Sequence, residues 1–230
     1  MSTSRTRWVI HKQGPLLGLI GLMVVVFVFQ QALGPNALGT RWFDPLMTVP
    51  SKVLAACVAL RNGTAGGTES RDLFTLLSCA FLHADISHLV YNMLALWLFA
   101  ALAADLLGNR WMLLLFVTTA LGGSLCHVLL NADSMVPCLG ASGAVMGFEG
   151  AYLGLATRFR LPEPQVWPMA RPIPPSHLAL LALFGVSMDY FGLMGGGGAR
   201  IAFGAHIGGF TTGLFLTALL APRPQAARAG

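Results

Sequence analysis

Ser142 lies in the run Gly140-Ala141-Ser142-Gly143. A serine hydroxyl is a weak nucleophile unless a neighbouring base takes its proton. Histidine is the commonest such base, and one stands at position 206 in Ala205-His206-Ile207-Gly208-Gly209. His88 and Asn92 are four residues apart, so on a helix they share a face. Their N–H groups are of the kind that stabilise a developing oxyanion. His83 precedes His88 by five residues. Taken together these are a nucleophile, a base and a set of donors, the parts of an acyl-transfer site. Taken singly each has an ordinary reading. A serine between glycines packs helices, a lone histidine is a satisfied core polar group, and an asparagine bonds one helix to another for roughly 1 kcal/mol.

Other chemistries lack their residues. There is no H-E-x-x-H for zinc, no Walker loop and no dinucleotide fingerprint. The hydrolase elbow G-x-S-x-G fails because Ala144 holds its last position. Cys57, Cys79, Cys126 and Cys138 form neither C-x-x-C nor a zinc spacing, so no metal is expected and they read mostly as small apolar packing residues.

The elements that would position these groups are set by composition. Charged residues are 10% of the 230, against roughly 25% in soluble domains. Apolar residues are 55%, and the mean hydropathy is +0.69. A soluble domain of this length has too little interior for that much apolar surface. The chain therefore reads as an all-α polytopic membrane protein, with room for roughly six helices of about 20 residues. The net charge of +5 falls in the breaks between apolar runs rather than on one polar face. This predicts membrane orientation, not nucleic-acid binding.

Residues 1–14 form an N-terminal tail, 15–222 a six-helix membrane domain and 223–230 a C-terminal tail. The first span is Pro15 to Leu33; Ala32-Leu33-Gly34 also fits a signal-peptide cleavage site, with a retained helix preferred for its length. A long first loop, about 35–72, contains an apolar stretch from Leu46 to Leu60 that reads as interfacial, because Pro50 and Lys52 interrupt it. The remaining spans are Ile86–Leu107, Trp111–Asn131, Gly140–Thr157, Ser176–Met194 and Ile201–Leu220. Prolines between 162 and 175 break the chain before the fifth span, and Gly195 to Gly198 form a hinge after it. With the N-terminus inside, nine Lys and Arg fall inside and five outside. Both termini are thus expected in the cytoplasm of a bacterial-type plasma membrane.

That topology brings the polar residues to one depth. His88 and Asn92, Ser142, and His206 all fall near the outer ends of the even-numbered spans. Gly143, Gly147, Gly150 and Gly154 line one face of span four, and Gly209 and Gly213 follow His206 on span six. Such stripes let backbones approach closely in lipid, which a serine needs to reach a histidine on another helix.

The run from Phe81 through His83, His88 and Asn92 to Met93, then Gly140-Ala141-Ser142-Gly143, then Ala205-His206-Ile207-Gly208-Gly209, resembles the rhomboid family of intramembrane serine proteases. The resemblance covers about residues 69–220. It implies a six-helix bundle in which Ser142 attacks the scissile carbonyl and His206 is its base. It also implies that His88 and Asn92 stabilise the oxyanion, with His83, Gly140 and Gly143 supporting. It further implies membrane-anchored protein substrates, single-span or other, cleaved in or near their transmembrane helix within the lipid bilayer, with no cofactor. The alternative is a rhomboid-like binder of transmembrane helices that lacks catalysis. Two positions depart from the family's usual pattern. Ser70-Arg71-Asp72-Leu73-Phe74 stands where a Trp-Arg pair is frequent, and Met146 where an aromatic residue often follows the serine by one turn.

Overall fold

A computed structural model describes residues 2–34, 41–163, 173–194 and 202–224. The helices are α1 (Ser2–Ala32), α2 (Pro50–Arg61), α3 (Gly67–Ser78), α4 (Ile86–Leu107), α5 (Asn109–Leu130), α6 (Ser142–Arg158), α7 (Pro175–Met194) and α8 (Phe203–Leu220). Among the described residues the only β pairing is an isolated antiparallel bridge between Thr48 and Cys138. The glycine hinge at 195–198 and prolines 164, 168 and 172 lie outside the described residues.

Among the described residues four helices are long and apolar enough to cross a membrane: Gln13–Ala32, Ile86–Leu107, Asn109–Leu130 and Phe203–Leu220. Their outer faces are apolar as well, with Leu22, Val25, Leu94, Leu129 and Leu219 exposed. Side chains that would aggregate a soluble protein instead suit a lipid solvent. α6 is different. It has 17 residues, about 26 Å at 1.5 Å per residue, short of the roughly 30 Å hydrocarbon core.

A short central helix needs the backbone hydrogen bonds of its approach segment made to protein, because lipid satisfies none. The segment before α6 meets that demand. The Gly140 N–H donates to the Cys79 carbonyl at 2.9 Å, and Cys138 and Thr48 exchange bonds of 2.7 and 3.0 Å. The long first loop thus forms α2 and α3, which brace the entrance to α6. Pro50 does not break this loop. It occupies the first turn of α2, where a missing N–H costs nothing.

α6 lies against α4, α5, α7 and α8, and its closest partner is α8. A Cβ on Gly209 or Gly213 would overlap the carbonyl oxygen of Gly143 or Gly147, and one on Gly150 would overlap that of Phe210. The two backbones therefore touch with no side chain between them, as the glycine stripes predict. Lower down, Arg158 Nη1 donates to the carbonyls of Thr217 and Ala221 at 3.0 Å each, capping the end of α8 from the end of α6. Above them, buried Phe148, Ala151 and Leu155 of α6 join the main core with Leu96 and Phe99 of α4 and Leu115 of α5.

Glu149 is half-buried on α6, with a carboxylate oxygen facing Gly185 of α7. It lies seven residues from Ser142, about 10 Å along the helix axis. That is too far to exchange a proton with the serine. Glu149→Gln preserves the shape and is expected to keep most activity in a cleavage assay. A loss as large as that of Ser142→Ala would instead give the carboxylate a catalytic role.

Candidate active site

Ser142 begins α6 and His206 sits in the first turn of α8. Their Oγ and Nε2 atoms are 2.8 Å apart, across 64 residues of sequence. This is hydrogen-bond distance for a nucleophile and its base. Both side chains are half-buried. Ser142 is also at a helix N-terminus, where the first backbone N–H groups have no partner inside the helix and carry partial positive charge.

Gly140 shapes the approach to this pair. Its φ of +128° is a conformation that other residues rarely adopt. A Cβ there would lie 2.8 Å from both Cε1 and Nε2 of His88 and 3.8 Å from Ser142 Oγ. His88 therefore presents one ring edge across Gly140 towards the serine. The tautomer follows from its other nitrogen. The Ala84 N–H donates to His88 Nδ1 at 3.4 Å, so in the neutral ring Nε2 carries the proton and is the donor.

Local capping fixes the start of α4. Asp85 is its N-cap and accepts the His88 backbone N–H at 2.8 Å and the Ser87 hydroxyl at 2.6 Å. The Ser87 hydroxyl and then the His88 N–H hold the Asp85 carboxyl below its ordinary range. Asn92 is buried, and its amide donates to the His88 carbonyl one turn back, at 2.8 Å.

His83 is 1% exposed. Its ring packs edge-on to His88 with centroids 5.3 Å apart. Among the described residues neither ring nitrogen has a hydrogen-bond partner. Burial, and then the neighbouring His88, push its pKa down to about 4. His83 is therefore a neutral packing ring at physiological pH.

Beside Ser142 is a cavity of about 10 Å³ lined by Cys79, Ser124, Gly140, Ser142, Ala202 and Ala205 among others. That is on the scale of one water molecule. Cys79 Sγ and Ser124 Oγ are 3.3 Å apart at this wall, and neither residue stands out from the sequence as a site residue. Met146 does not sit in the hydrogen-bonding group; it shares a buried cluster with Ala182 of α7 and Phe210 of α8. Cys57 is exposed rather than packed. No group of His, Cys, Asp and Glu suited to a metal ion occurs among the described residues.

A bundle of apolar helices with a serine at one helix start hydrogen-bonded to a histidine on another defines a class: helical integral membrane proteins with a paired serine and histidine between two helices. The rhomboid domain matches residues 70–223, and the chain belongs to the rhomboid family. It is 30% identical over 158 residues to RHOMBOID-like protein 5 of Arabidopsis thaliana, covering 68% of this chain and 47% of that one. Rhomboid protein 1, mitochondrial, of Saccharomyces cerevisiae is 29% identical over 148 residues, covering 58% of this chain and 41% of that one. Rhomboid protease GluP of Bacillus subtilis is 36% identical over 81 residues, 35% of this chain and 15% of that protein. The chain spans about half the length of the first two.

Proposed function

We propose that this chain is an intramembrane serine endopeptidase that cleaves membrane-anchored proteins within or near their transmembrane segment. The carrying observation is the 2.8 Å contact between Ser142 Oγ and His206 Nε2. His206 takes the hydroxyl proton as Ser142 attacks the scissile carbonyl, and returns it to the leaving amine. The oxyanion forms beside the start of α6, where backbone N–H groups and the Nε2–H of His88 converge. Asn92 supports that wall through the His88 carbonyl and adds its amide to the donor set. A water entering beside Ser142 then hydrolyses the acyl-enzyme, with His206 again the base. No other group is required for either half-reaction. Six spans with both termini in the cytoplasm complete the proposal, since they put Ser142, His206 and His88 near one outer surface.

The direct test is capture of the protein by a serine-directed fluorophosphonate. Wild type is expected to be labelled and Ser142→Ala not. Labelling that persists in Ser142→Ala moves the nucleophile elsewhere and leaves helix binding without catalysis as the better account of the site.

The oxyanion side gives a graded prediction. Losing one such donor costs about 10²–10³ in kcat. His88→Ala is expected in that range, with a measurable residual rate, because the backbone donors at Ser142 persist. Asn92→Ala is expected to fall as well. Full activity in both variants, in folded protein, makes these two residues packing groups only.

A further inference from the structure

Gln30 lies near the end of α1 and is 5% exposed. Its carboxamide makes two bonds to one residue. Oε1 accepts the His83 N–H at 3.1 Å, and Nε2 donates to the His83 carbonyl at 3.4 Å. The partners are 53 residues apart. His83 is in the non-helical stretch between the turn Cys79–Phe81 and the start of α4. Its buried backbone groups have no helical ladder to join, so the side-chain amide takes the place of one.

The peptide unit joining His83 to Ala84 is shared between two contacts. Its oxygen is the one held by Gln30. Its N–H is the one that donates to His88 Nδ1 at 3.4 Å. The donor edge of His88 is at Gly140, so a continuous line runs from the Gln30 amide through the 83–84 peptide to His88 Nε2. Bonds in such a line polarise one another. The ring of His83 fills the space beside His88, with no hydrogen bond to its nitrogens among the described residues.

We propose that Gln30 is a positioning residue: by clamping the 83–84 peptide it fixes the orientation and the Nε2–H tautomer of His88, and so the side-chain half of the oxyanion site. This rests on the reading of Ser142, His206 and His88 given above. It adds a first-helix residue that none of the three motif segments contains. Gln30 does not touch the reacting atoms; it acts only through His88.

The experiment is a mutant cycle on the full chain in liposomes, with a single-span substrate protein. Gln30→Met keeps the length and removes both bonds. It is expected to lower kcat at least about tenfold, towards the 10²–10³ of a lost donor, with KM little changed. His88→Ala combined with Gln30→Met is expected to be no slower than His88→Ala alone, because the two act in series. A wild-type rate in Gln30→Met overturns the proposal. So does an equal loss from Gln30→Met in both backgrounds, which would mark a general structural effect. If Gln30→Met does not fold, ¹⁵N spectra of wild-type His88 decide: an Nε2–H ring supports the line and an Nδ1–H ring overturns it. The parent reading fails separately. Cleavage by Ser142→Ala, or full activity in His88→Ala, sinks that reading, whereas a dead Ser142→Ala beside an unaffected Gln30→Met sinks only the role of Gln30.

Discussion

Ser142→Ala and His206→Ala are each expected to abolish cleavage of a single-span substrate, and the double variant is expected to be no worse than either. The two side chains form one chemical unit, a hydroxyl and the imidazole 2.8 Å from it. Either half alone performs no proton-coupled attack, so removing the second half removes nothing more. Multiplying losses would mean that the two contribute independently and that the short contact is not the reacting one. The residual rate sets a further limit. Backbone donors and binding alone retain part of the acceleration in serine hydrolases, so a trace above the uncatalysed rate is compatible with the dyad. Ser142→Cys is the complementary arm. A thiol keeps a nucleophile next to His206. Its alkylation by a thiol reagent, faster with His206 present than in a His206→Ala background, would report the same pairing without peptide cleavage. Thermal melting checks that each variant folds, since Ser142 also begins α6.

How much of this could be read beforehand divides by the range of the interactions. Local signals were legible. Asp85 and Ser87 both stand where a cap could begin the apolar run from Ile86, and Asp85 takes the place, reaching only to His88. The boundaries Ile86–Leu107 of α4 coincide with the apolar stretch itself. The glycine stripes on α6 and α8 also carried their meaning in their spacing, because close backbone approach is what such stripes permit. What escaped was non-local or conformational. Gln30 lies inside the expected first span, Pro15 to Leu33, and belongs to no motif; only folding brings it to His83, 53 residues away. Arg158 is one of the cations between the fourth and fifth spans that the charge count puts inside, yet it caps α8 through carbonyls 59 and 63 residues on. Pro50 suggested a break, but at the first turn of a helix it is neutral or favourable. The direction of the Asn92 amide was not readable either. A shared face with His88 places the residue, while the bond to the His88 carbonyl depends on a rotamer.

The largest structural effect is expected at Gly209. It is one turn from His206 on α8, and a Cβ there would overlap the carbonyl oxygen of Gly143, the residue after Ser142, with its carbonyl carbon at 2.7 Å. Those atoms are backbone and cannot rotate aside. Gly209→Ala must therefore push α8 away from α6 at the level of the dyad. Overpacking of this kind costs about 1–3 kcal/mol, and a misplacement of about 1 Å between reacting groups costs about 10²-fold in rate. Gly209→Ala is expected to lose at least that factor in kcat and to melt at lower temperature. Gly18→Ala and Gly21→Ala supply the contrast. Both positions are on α1, and nothing lies within 4 Å of a Cβ at either. Alanine is also the better helix former by about 1 kcal/mol, so these variants are expected to keep full activity and equal or higher stability. The measurement is a cleavage rate and a melting curve for each of the three proteins in the same detergent. Near-wild-type turnover in Gly209→Ala would mean that the α6–α8 contact can open without separating Ser142 from His206, and that the dyad is held by something other than the touching backbones.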